Sequence, residues 1–149
     1  MILYRICHEK WSHDLTASGN AGRWNSKGKY VIYTAGTRAL ACLENIVHRS
    51  GEGSNDNYKI LLIEVPDTTI ITEVKKEQLQ KNWNDYSNYT YCRKFGDEWL
   101  RNCATLILKV PSAISPEENN YLINPNHKDF KKVKLIRTDN FTFDKRLKK

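Results

Sequence analysis

The stretch from residue 30 to residue 49, YVIYTAGTRALACLENIVHR, carries the two patterns that decide the fold. Its first part, Tyr30–Thr34, is rich in β-branched and aromatic residues, which predicts a strand. Thr37 is a suitable N-cap for a following helix, because apolar residues then recur at helical spacing. These residues are Ala39, Leu40, Leu43, Ile46 and Val47. We therefore expect a strand followed directly by a helix over residues 37–49, which ends near His48 to Gly51.

Further strands are expected on both sides of this strand and helix. They are Leu3–Ile6, Tyr58–Val65, Thr69–Thr72, Ala104–Val110, Tyr121–Ile123 and Val133–Arg137. A polar surface helix is predicted over Lys75–Trp83, a loop over Asn84–Tyr91, and a helix over Phe95–Cys103 with Trp99 turned inward. Because the sequence contains neither a repeat nor a linker, we expect one α+β domain over residues 1–149, with a mixed central sheet and flanking helices.

The composition is that of a folded, soluble protein. The chain has 149 residues, of which 40% are hydrophobic and 28% charged, and this length suits one domain. It contains neither a long apolar run nor a secretory signal, so we expect a cytoplasmic protein that does not enter a membrane. The cysteines form no C-x-x-C pair, so neither a metal site nor a disulfide framework is predicted. They are Cys7, Cys42, Cys92 and Cys103.

The net charge of +7 favours an anionic partner, which could be nucleic acid, an acidic protein or a phosphorylated small molecule. Much of the excess charge lies near the C-terminus, where a solvated basic tail would also explain it. These residues are Lys131, Lys132, Lys134, Arg137, Lys145, Arg146, Lys148 and Lys149. The sequence has no recognised nucleic-acid-binding motif, and we expect no direct binding of nucleic acid. A basic nucleic-acid-binding protein or a ribonuclease toxin remains an alternative.

Four residues stand out as candidates for chemistry. Arg23 lies in the Gly- and Asn-rich loop 18–28, where a guanidinium could bind phosphate, although it could equally be a surface arginine. Tyr33 at a strand end could stack on a planar ring or simply fill the core. Glu44 flanks the apolar stripe of its helix, as a boundary residue also would. Ser112 follows a strand, where a hydroxyl often forms a turn.

Taken in order, several blocks of this sequence resemble the RES domain. The blocks are Gly22-Arg23-Trp24-Asn25, Tyr33-Thr34-Ala35, Ala39-Leu40-Ala41-Cys42-Leu43-Glu44 with Val47-His48, Gly96-Asp97-Glu98-Trp99-Leu100, Val110-Pro111-Ser112-Ala113 and Asn120-Tyr121-Leu122-Ile123-Asn124-Pro125. The family is named for an arginine, a glutamate and a serine. In this sequence they correspond to Arg23, Glu44 and Ser112.

The resemblance implies a toxin of a type II toxin–antitoxin pair that consumes NAD⁺ and is neutralised by an Xre-like antitoxin. It also implies a fold related to that of ADP-ribosylating toxins. In the implied site, Arg23 holds the diphosphate or ribose region, Tyr33 packs against nicotinamide, Glu44 binds ribose hydroxyls and Ser112 orients the same end of the ligand. Further implied substrate-binding residues are Arg5, Asn25 and Asn124.

The implied reaction breaks the bond between nicotinamide and ribose. Positive charge then builds on the ribose ring, and a nearby carboxylate can stabilise it. Nicotinamide leaves as a neutral group, so the resemblance implies no metal and no cofactor beyond the substrate NAD⁺. The acceptor stays open: water, inorganic phosphate as a co-substrate, or a protein side chain. The last would make the protein an ADP-ribosyltransferase.

Overall fold

The computed structural model describes residues 1–48 and 57–147. Within these ranges lie seven strands and two α-helices. They are β1 (Ile2–His8), β2 (Ile32–Ala35), α1 (Arg38–His48), β3 (Tyr58–Glu64), β4 (Ile71–Glu73), α2 (Tyr89–Asn102), β5 (Ile107–Pro111), β6 (Asn119–Ile123) and β7 (Lys134–Phe141). The part of the predicted helix end after residue 48 and the last two lysines of the basic tail lie outside the described residues.

All seven strands belong to one mixed sheet in the order β4-β5-β6-β2-β1-β3-β7. The pair β4–β5 is parallel, and the other described pairs are antiparallel. The predicted α+β class with a mixed sheet and flanking helices is therefore confirmed. Strand ends differ from the prediction mainly at β5, which begins at Ile107, and at β7, which continues to Phe141.

The register of the sheet puts both helices on the same face. Leu122 on β6 lies opposite Tyr33 on β2, and Ala35, two residues along β2, lies opposite Tyr4 on β1. Directly opposite residues and residues two apart point to the same side of a sheet. Leu122 packs with the buried face of α2, and Ala35 packs with Leu40 of α1. The two helices therefore lie side by side, each over one half of the sheet.

Helix α1 forms where the sequence predicts it. Thr37 caps it, because its Oγ1 accepts a hydrogen bond of 3.1 Å from the amide of Leu40. Leu40 and Ala41 are buried against β1 and β3, in a cluster that contains Ile6. Burial of one leucine contributes about 1.5–3 kcal/mol to stability. The apolar stripe thus fixes the helix on the sheet and leaves Glu44 at its edge.

The region between β4 and β5 differs from the prediction. The helix predicted over Lys75–Trp83 is wrong: only a short 3-10 turn, Lys76–Gln78, is present there. Conversely, α2 begins at Tyr89, within the segment 84–91 that is predicted to be a loop. Its inward positions recur every three or four residues, which is a helical period that the polar and aromatic mixture of the sequence conceals. These positions are Cys92, Gly96 and Trp99.

Gly96 is the point at which α2 approaches the loop that carries Arg23. A Cβ atom at residue 96 would lie 1.6 Å from the carbonyl oxygen of Trp24 and 2.7 Å from its carbonyl carbon. Trp24 is itself buried, and its ring contacts those of Trp83 and Phe95. The close approach therefore needs a glycine, and it fixes the backbone beside Arg23.

We predict that Gly96→Ala destabilises the protein. In an ordinary helix interior this change adds about 1 kcal/mol of stability, but here the methyl group must displace the backbone of Trp24. We expect a net loss of about 1–3 kcal/mol, as for overpacked cores, in chemical unfolding experiments. Lys94→Ala, at an exposed position of the same helix, serves as the control. A Gly96→Ala protein as stable as the wild type would show that Trp24 can shift freely.

A gap in the middle of the sheet creates the cleft described below. Within the described residues, β1 and β2 pair only through Tyr4 and Ala35. Past this pair the ladder does not continue, and Arg5 on β1 and Tyr33 on β2 both line the cleft. The cleft thus lies where the two halves of the sheet meet and where α1 and α2 stand side by side.

Candidate active site

A cleft of about 660 Å³ brings together four of the seven predicted site residues. They are Arg5, Arg23, Tyr33 and Glu44. Ser112 is fully buried and contacts Glu44 without lining the cleft itself. The volume is within the range of small-molecule sites, roughly 300–1,000 Å³. Arg23, Tyr33, Glu44 and Ser112, although distant in sequence, therefore converge on one place.

Glu44 is the carboxylate of this cleft, and three side chains contact it. Its Oε1 accepts hydrogen bonds from Ser112 Oγ at 2.8 Å and from Asn120 Nδ2 at 2.6 Å. Its Oε2 lies 3.2 Å from Nε2 of His48, one helical turn further along α1. The carboxylate is thus held in a fixed orientation, with Oε1 against the protein and Oε2 at the histidine.

These contacts decide the ionisation of Glu44. Burial favours the neutral acid, but the hydrogen bonds from His48, Asn120 and Ser112 outweigh it and hold the pKa of Glu44 below its ordinary value. The side chain is therefore an anion at neutral pH. A fixed negative charge in a partly enclosed cleft can stabilise a cation that forms beside it.

Ser112 is directed at Glu44 and at its own loop. Its hydroxyl donates to Glu44 Oε1 and accepts hydrogen bonds of 3.1 Å from the amides of Ile114 and Ser115. One donor and two acceptor positions are all that a hydroxyl has. Ser112 therefore orients Glu44, and any effect of Ser112 on a ligand is indirect, through that carboxylate.

The sequence suggests that Arg23 extends freely from its loop, but in the structure its guanidinium is held by other residues. Its Nη1 and Nη2 donate to the carbonyl oxygens of Trp83, Asn84 and Asp85, at 2.9–3.3 Å. The guanidinium also lies over the ring of Tyr89, 4.3 Å from its centre. The arginine therefore joins two loops and the start of α2, while it still lines the cleft.

Arg5 contributes a second positive charge to the cleft. Its Nη1 donates to the carbonyl oxygen of Thr16 at 2.7 Å, which leaves further donors of the guanidinium for a ligand. Burial lowers the pKa of Arg5, but a guanidinium is so basic that the side chain stays charged at neutral pH. Arg5 thus lines the cleft, and its role in substrate binding stays a prediction.

Tyr33 presents its ring to the cleft and has its hydroxyl fixed. The hydroxyl donates to Oδ1 of Asn25 at 2.6 Å and accepts from the amide of Trp24 at 3.1 Å. Burial raises the pKa of Tyr33 far above its ordinary value, so the phenol stays neutral. Gly22 permits this arrangement, because a Cβ atom there would lie 2.7 Å from the Tyr33 hydroxyl.

Two predicted substrate-binding residues, Asn25 and Asn124, are not among those that line the cleft. Asn25 is buried, and its amide donates to carbonyl oxygens of its own loop at Asn20 and Lys29. Asn124 follows β6 at the end remote from Glu44, where its Oδ1 accepts from the amide of Asn126. Both asparagines stabilise turns, which is a common use of this residue type.

Sequence reasoning also missed residues of the site. Asn120 and His48 stand in the blocks that resemble the RES domain, but nothing in the sequence assigns them to Glu44. The spacing of four residues between Glu44 and His48 is one signal that was available. Tyr89, under Arg23, lies in the segment predicted to be a loop, so its part in the site was not recognisable.

Residues 1–48 and 57–147 contain no group of three His, Cys, Asp or Glu side chains arranged to hold a metal ion. The same ranges contain no helix that is long and apolar enough to span a membrane.

Comparison with known proteins agrees with this fold. The model of the RES domain matches residues 2–144. A Sphingobium sp. (strain YBL2) protein named Prs ADP-ribosylating toxin is 38% identical over 139 residues, which cover 90% of this chain and 86% of that protein. Proteins named Toxin Res are 34% identical over 153 residues in Yersinia enterocolitica, covering 99% of this chain and 100% of that one, and 37% identical over 152 residues in Pseudomonas putida, covering 99% of each.

A solved structure shares the fold. A chain of the M. tuberculosis MbcT-MbcA toxin-antitoxin complex superposes with a TM-score of 0.76 at 16% sequence identity, covering 95% of this chain and 84% of that one. At this identity the likeness concerns the fold alone. The family match, by contrast, extends over almost the whole chain and includes the residues gathered around Glu44. The chain therefore belongs to the RES domain family.

Proposed function

We propose that this protein is a toxin that depletes NAD⁺ by cleaving the bond between nicotinamide and ribose. The observation that carries the proposal is Glu44, an ionised carboxylate fixed by three side chains in a cleft that also contains two arginines. A neutral leaving group and a cationic sugar need this kind of site, because the protein must stabilise positive charge rather than donate a proton.

The reaction proceeds in a way that this site can support. The bond between C1 of the ribose and the nicotinamide nitrogen breaks, and its electron pair leaves with nicotinamide. The ribose ring then carries positive charge, which Glu44 stabilises through Oε2. An acceptor oxygen bonds to C1 and loses its proton to solvent. With water the product is ADP-ribose, and with inorganic phosphate it is ADP-ribose 1-phosphate. No metal and no further cofactor take part in the proposed reaction.

The remaining cleft residues suit the other parts of NAD⁺. Arg23 lines the cleft, and its guanidinium supplies positive charge for the diphosphate. Arg5 offers its remaining donors to the same anionic group. The ring of Tyr33 supplies a flat apolar surface for nicotinamide. The cleft therefore has positive charge for the phosphates and negative charge for the ribosyl cation.

A second candidate function is transfer of ADP-ribose to a protein side chain. The relative from Sphingobium is named a Prs ADP-ribosylating toxin, and its match covers 90% of this chain. The chemistry at Glu44 is then the same, and only the acceptor changes. A ribonuclease is less well supported: of the four histidines, all within the described ranges, His48 alone lines the cleft, so no pair is available there for acid–base catalysis.

We also propose that an Xre-like antitoxin neutralises this protein in the cytoplasm. The support for a protein partner is the structural neighbour, whose structure was solved as a toxin-antitoxin complex. Co-expression with the candidate antitoxin should restore growth and keep the cellular NAD⁺ concentration normal. The proposal includes no binding to a membrane and no direct binding to nucleic acid.

Identification of the products tests the choice of acceptor. Purified protein is incubated with NAD⁺ in buffer alone, with inorganic phosphate, and with cell lysate plus NAD⁺ labelled in the adenylate part. We expect nicotinamide wherever the acceptor that the protein uses is present, with ADP-ribose, ADP-ribose 1-phosphate or labelled protein identifying water, phosphate or a side chain as that acceptor. Addition of EDTA should leave nicotinamide release unchanged. Complete inhibition by EDTA that one divalent ion reverses would contradict the metal-free reaction.

A further inference from the structure

Asn120 is the residue of this site that the sequence prediction did not include. It lies on β6 opposite Ala35 of β2 and Val110 of β5, two residues before Leu122, which packs beneath α2. Residues two apart on a strand share a face, so the amide points toward the helices and the cleft. Its Nδ2 reaches Glu44 Oε1 at 2.6 Å. Strand β6 thus places a hydrogen-bond donor next to the carboxylate, on the face of the sheet that carries the helices.

The contacts of Glu44 are divided between its two oxygens. Oε1 receives the donors from Ser112 and Asn120, whereas Oε2 contacts His48, whose side chain is 60% exposed. A carboxylate oxygen that accepts two short hydrogen bonds cannot turn away without losing both. Oε1 is therefore held against the protein, which leaves Oε2 as the oxygen that can face a ligand.

The other end of the Asn120 amide is unsatisfied. Its Oδ1 is buried and has no hydrogen-bond partner among the residues that the structure describes. A buried acceptor without a partner destabilises a fold, and an apolar side chain at this place would avoid that cost. A residue chosen for stability alone would therefore not be an asparagine. Its described side-chain hydrogen bond is the one that it donates to Glu44.

We propose that Asn120 is a positioning residue of the RES site: its amide fixes Oε1 of Glu44, so that the carboxylate keeps its orientation and presents Oε2 to the reacting sugar. The effect of Asn120 on catalysis rests on the proposed function, whereas its effect on Glu44 does not. An aspartate in this position would serve neither purpose, because two carboxylates at hydrogen-bonding distance must share a proton.

The test compares Asn120→Asp with Asn119→Asp. Both changes add the same charge to β6, but residue 119 points to the opposite face of the strand. In Asn120→Asp, Glu44 becomes protonated at a higher pH, so the acid limb of kcat against pH should rise by at least one pH unit. Near that limb kcat should fall at least tenfold, while KM changes by less than threefold. Asn119→Asp should keep the wild-type profile.

Other titrating groups around the cleft are common to both variants. His48 approaches Glu44 from the same helix, Arg5 belongs to β1, Tyr33 to β2, and Arg23 reaches in from its loop. Arg5 and Tyr33 keep one charge state around neutral pH, and Arg23 is unchanged in both variants. His48 is present in wild type and in both variants, so a difference between Asn120→Asp and Asn119→Asp reports on residue 120.

A second readout does not depend on NAD⁺. The carboxyl carbon of Glu44, followed by NMR, should titrate at a pH at least one unit higher in Asn120→Asp than in Asn119→Asp. If Asn120→Asp fails to fold, Asn120→Ala replaces it and should raise the same titration, since one donor is lost. Equal Glu44 titrations in the variant and the control would overturn the inference. A wild-type protein that releases no nicotinamide would refute the proposed function, while the NMR comparison would still decide the role of Asn120.

Discussion

Replacing Glu44 with glutamine is expected to lower the rate of nicotinamide release from NAD⁺ by about 100-fold or more, which corresponds to about 2.7 kcal/mol of transition-state stabilisation. The glutamine oxygen can still accept hydrogen bonds from Ser112 and Asn120, which meet Oε1 in the wild type. Its amide nitrogen can donate to a neutral His48. The fold and the cleft should therefore persist, while the negative charge is lost.

The rate and the melting temperature of Glu44→Gln are measured together. Glu98→Gln, the same change at an exposed position of α2, is the matched control and should retain full activity. An unfolded Glu44→Gln protein would show that the residue is structural. A folded variant with the wild-type rate would show that the carboxylate does not stabilise the ribosyl cation.

Replacing Arg23 with alanine is expected to weaken NAD⁺ binding by tenfold or more, about 1.4 kcal/mol, and also to destabilise the protein. The sequence alone suggests a loop arginine that could be removed at little cost to stability. The structure corrects this expectation, because the guanidinium donates to three carbonyl groups of residues 83–85 and lies over Tyr89. We expect a loss of about 1–3 kcal/mol of stability.

Calorimetric titration with NAD⁺ and denaturant unfolding measure the two effects of Arg23. Arg23→Lys keeps the charge but loses the paired donors, so it should recover binding only in part. Arg101→Ala, at an exposed position near the end of α2, should change neither quantity. Wild-type affinity in a folded Arg23→Ala protein would place the arginine outside the NAD⁺ contacts.

The sequence predicts well those elements whose burial pattern repeats locally. Helix α1 and strand β3 are of this kind, since the apolar stripe of α1 and the continuous apolar run of β3 are both buried as expected. The start of α2 was missed because Tyr89 and Cys92 lie among polar residues, and their partners come from distant parts of the chain. Cys92 packs in the same buried cluster as Trp24 and Trp83, contacts that no local pattern reveals.

The candidate site was also predicted only in part. The family resemblance supplied Arg23, Tyr33, Glu44 and Ser112, because sequence blocks preserve the chemical types that the site needs. It could not supply hydrogen-bond directions, which depend on how β6 and α1 face one another. Asn120 therefore escaped prediction, although it makes one of the shortest contacts to Glu44.

The central claim is that this chain breaks the nicotinamide–ribose bond of NAD⁺. The most direct test mixes the purified wild-type protein with NAD⁺ labelled in the nicotinamide ring and counts the free nicotinamide formed per protein molecule. We expect many equivalents, together with almost none from Glu44→Gln under the same conditions. Intact NAD⁺ after prolonged incubation with folded wild-type protein, in the presence of phosphate and of cell lysate as acceptors, would contradict the claim.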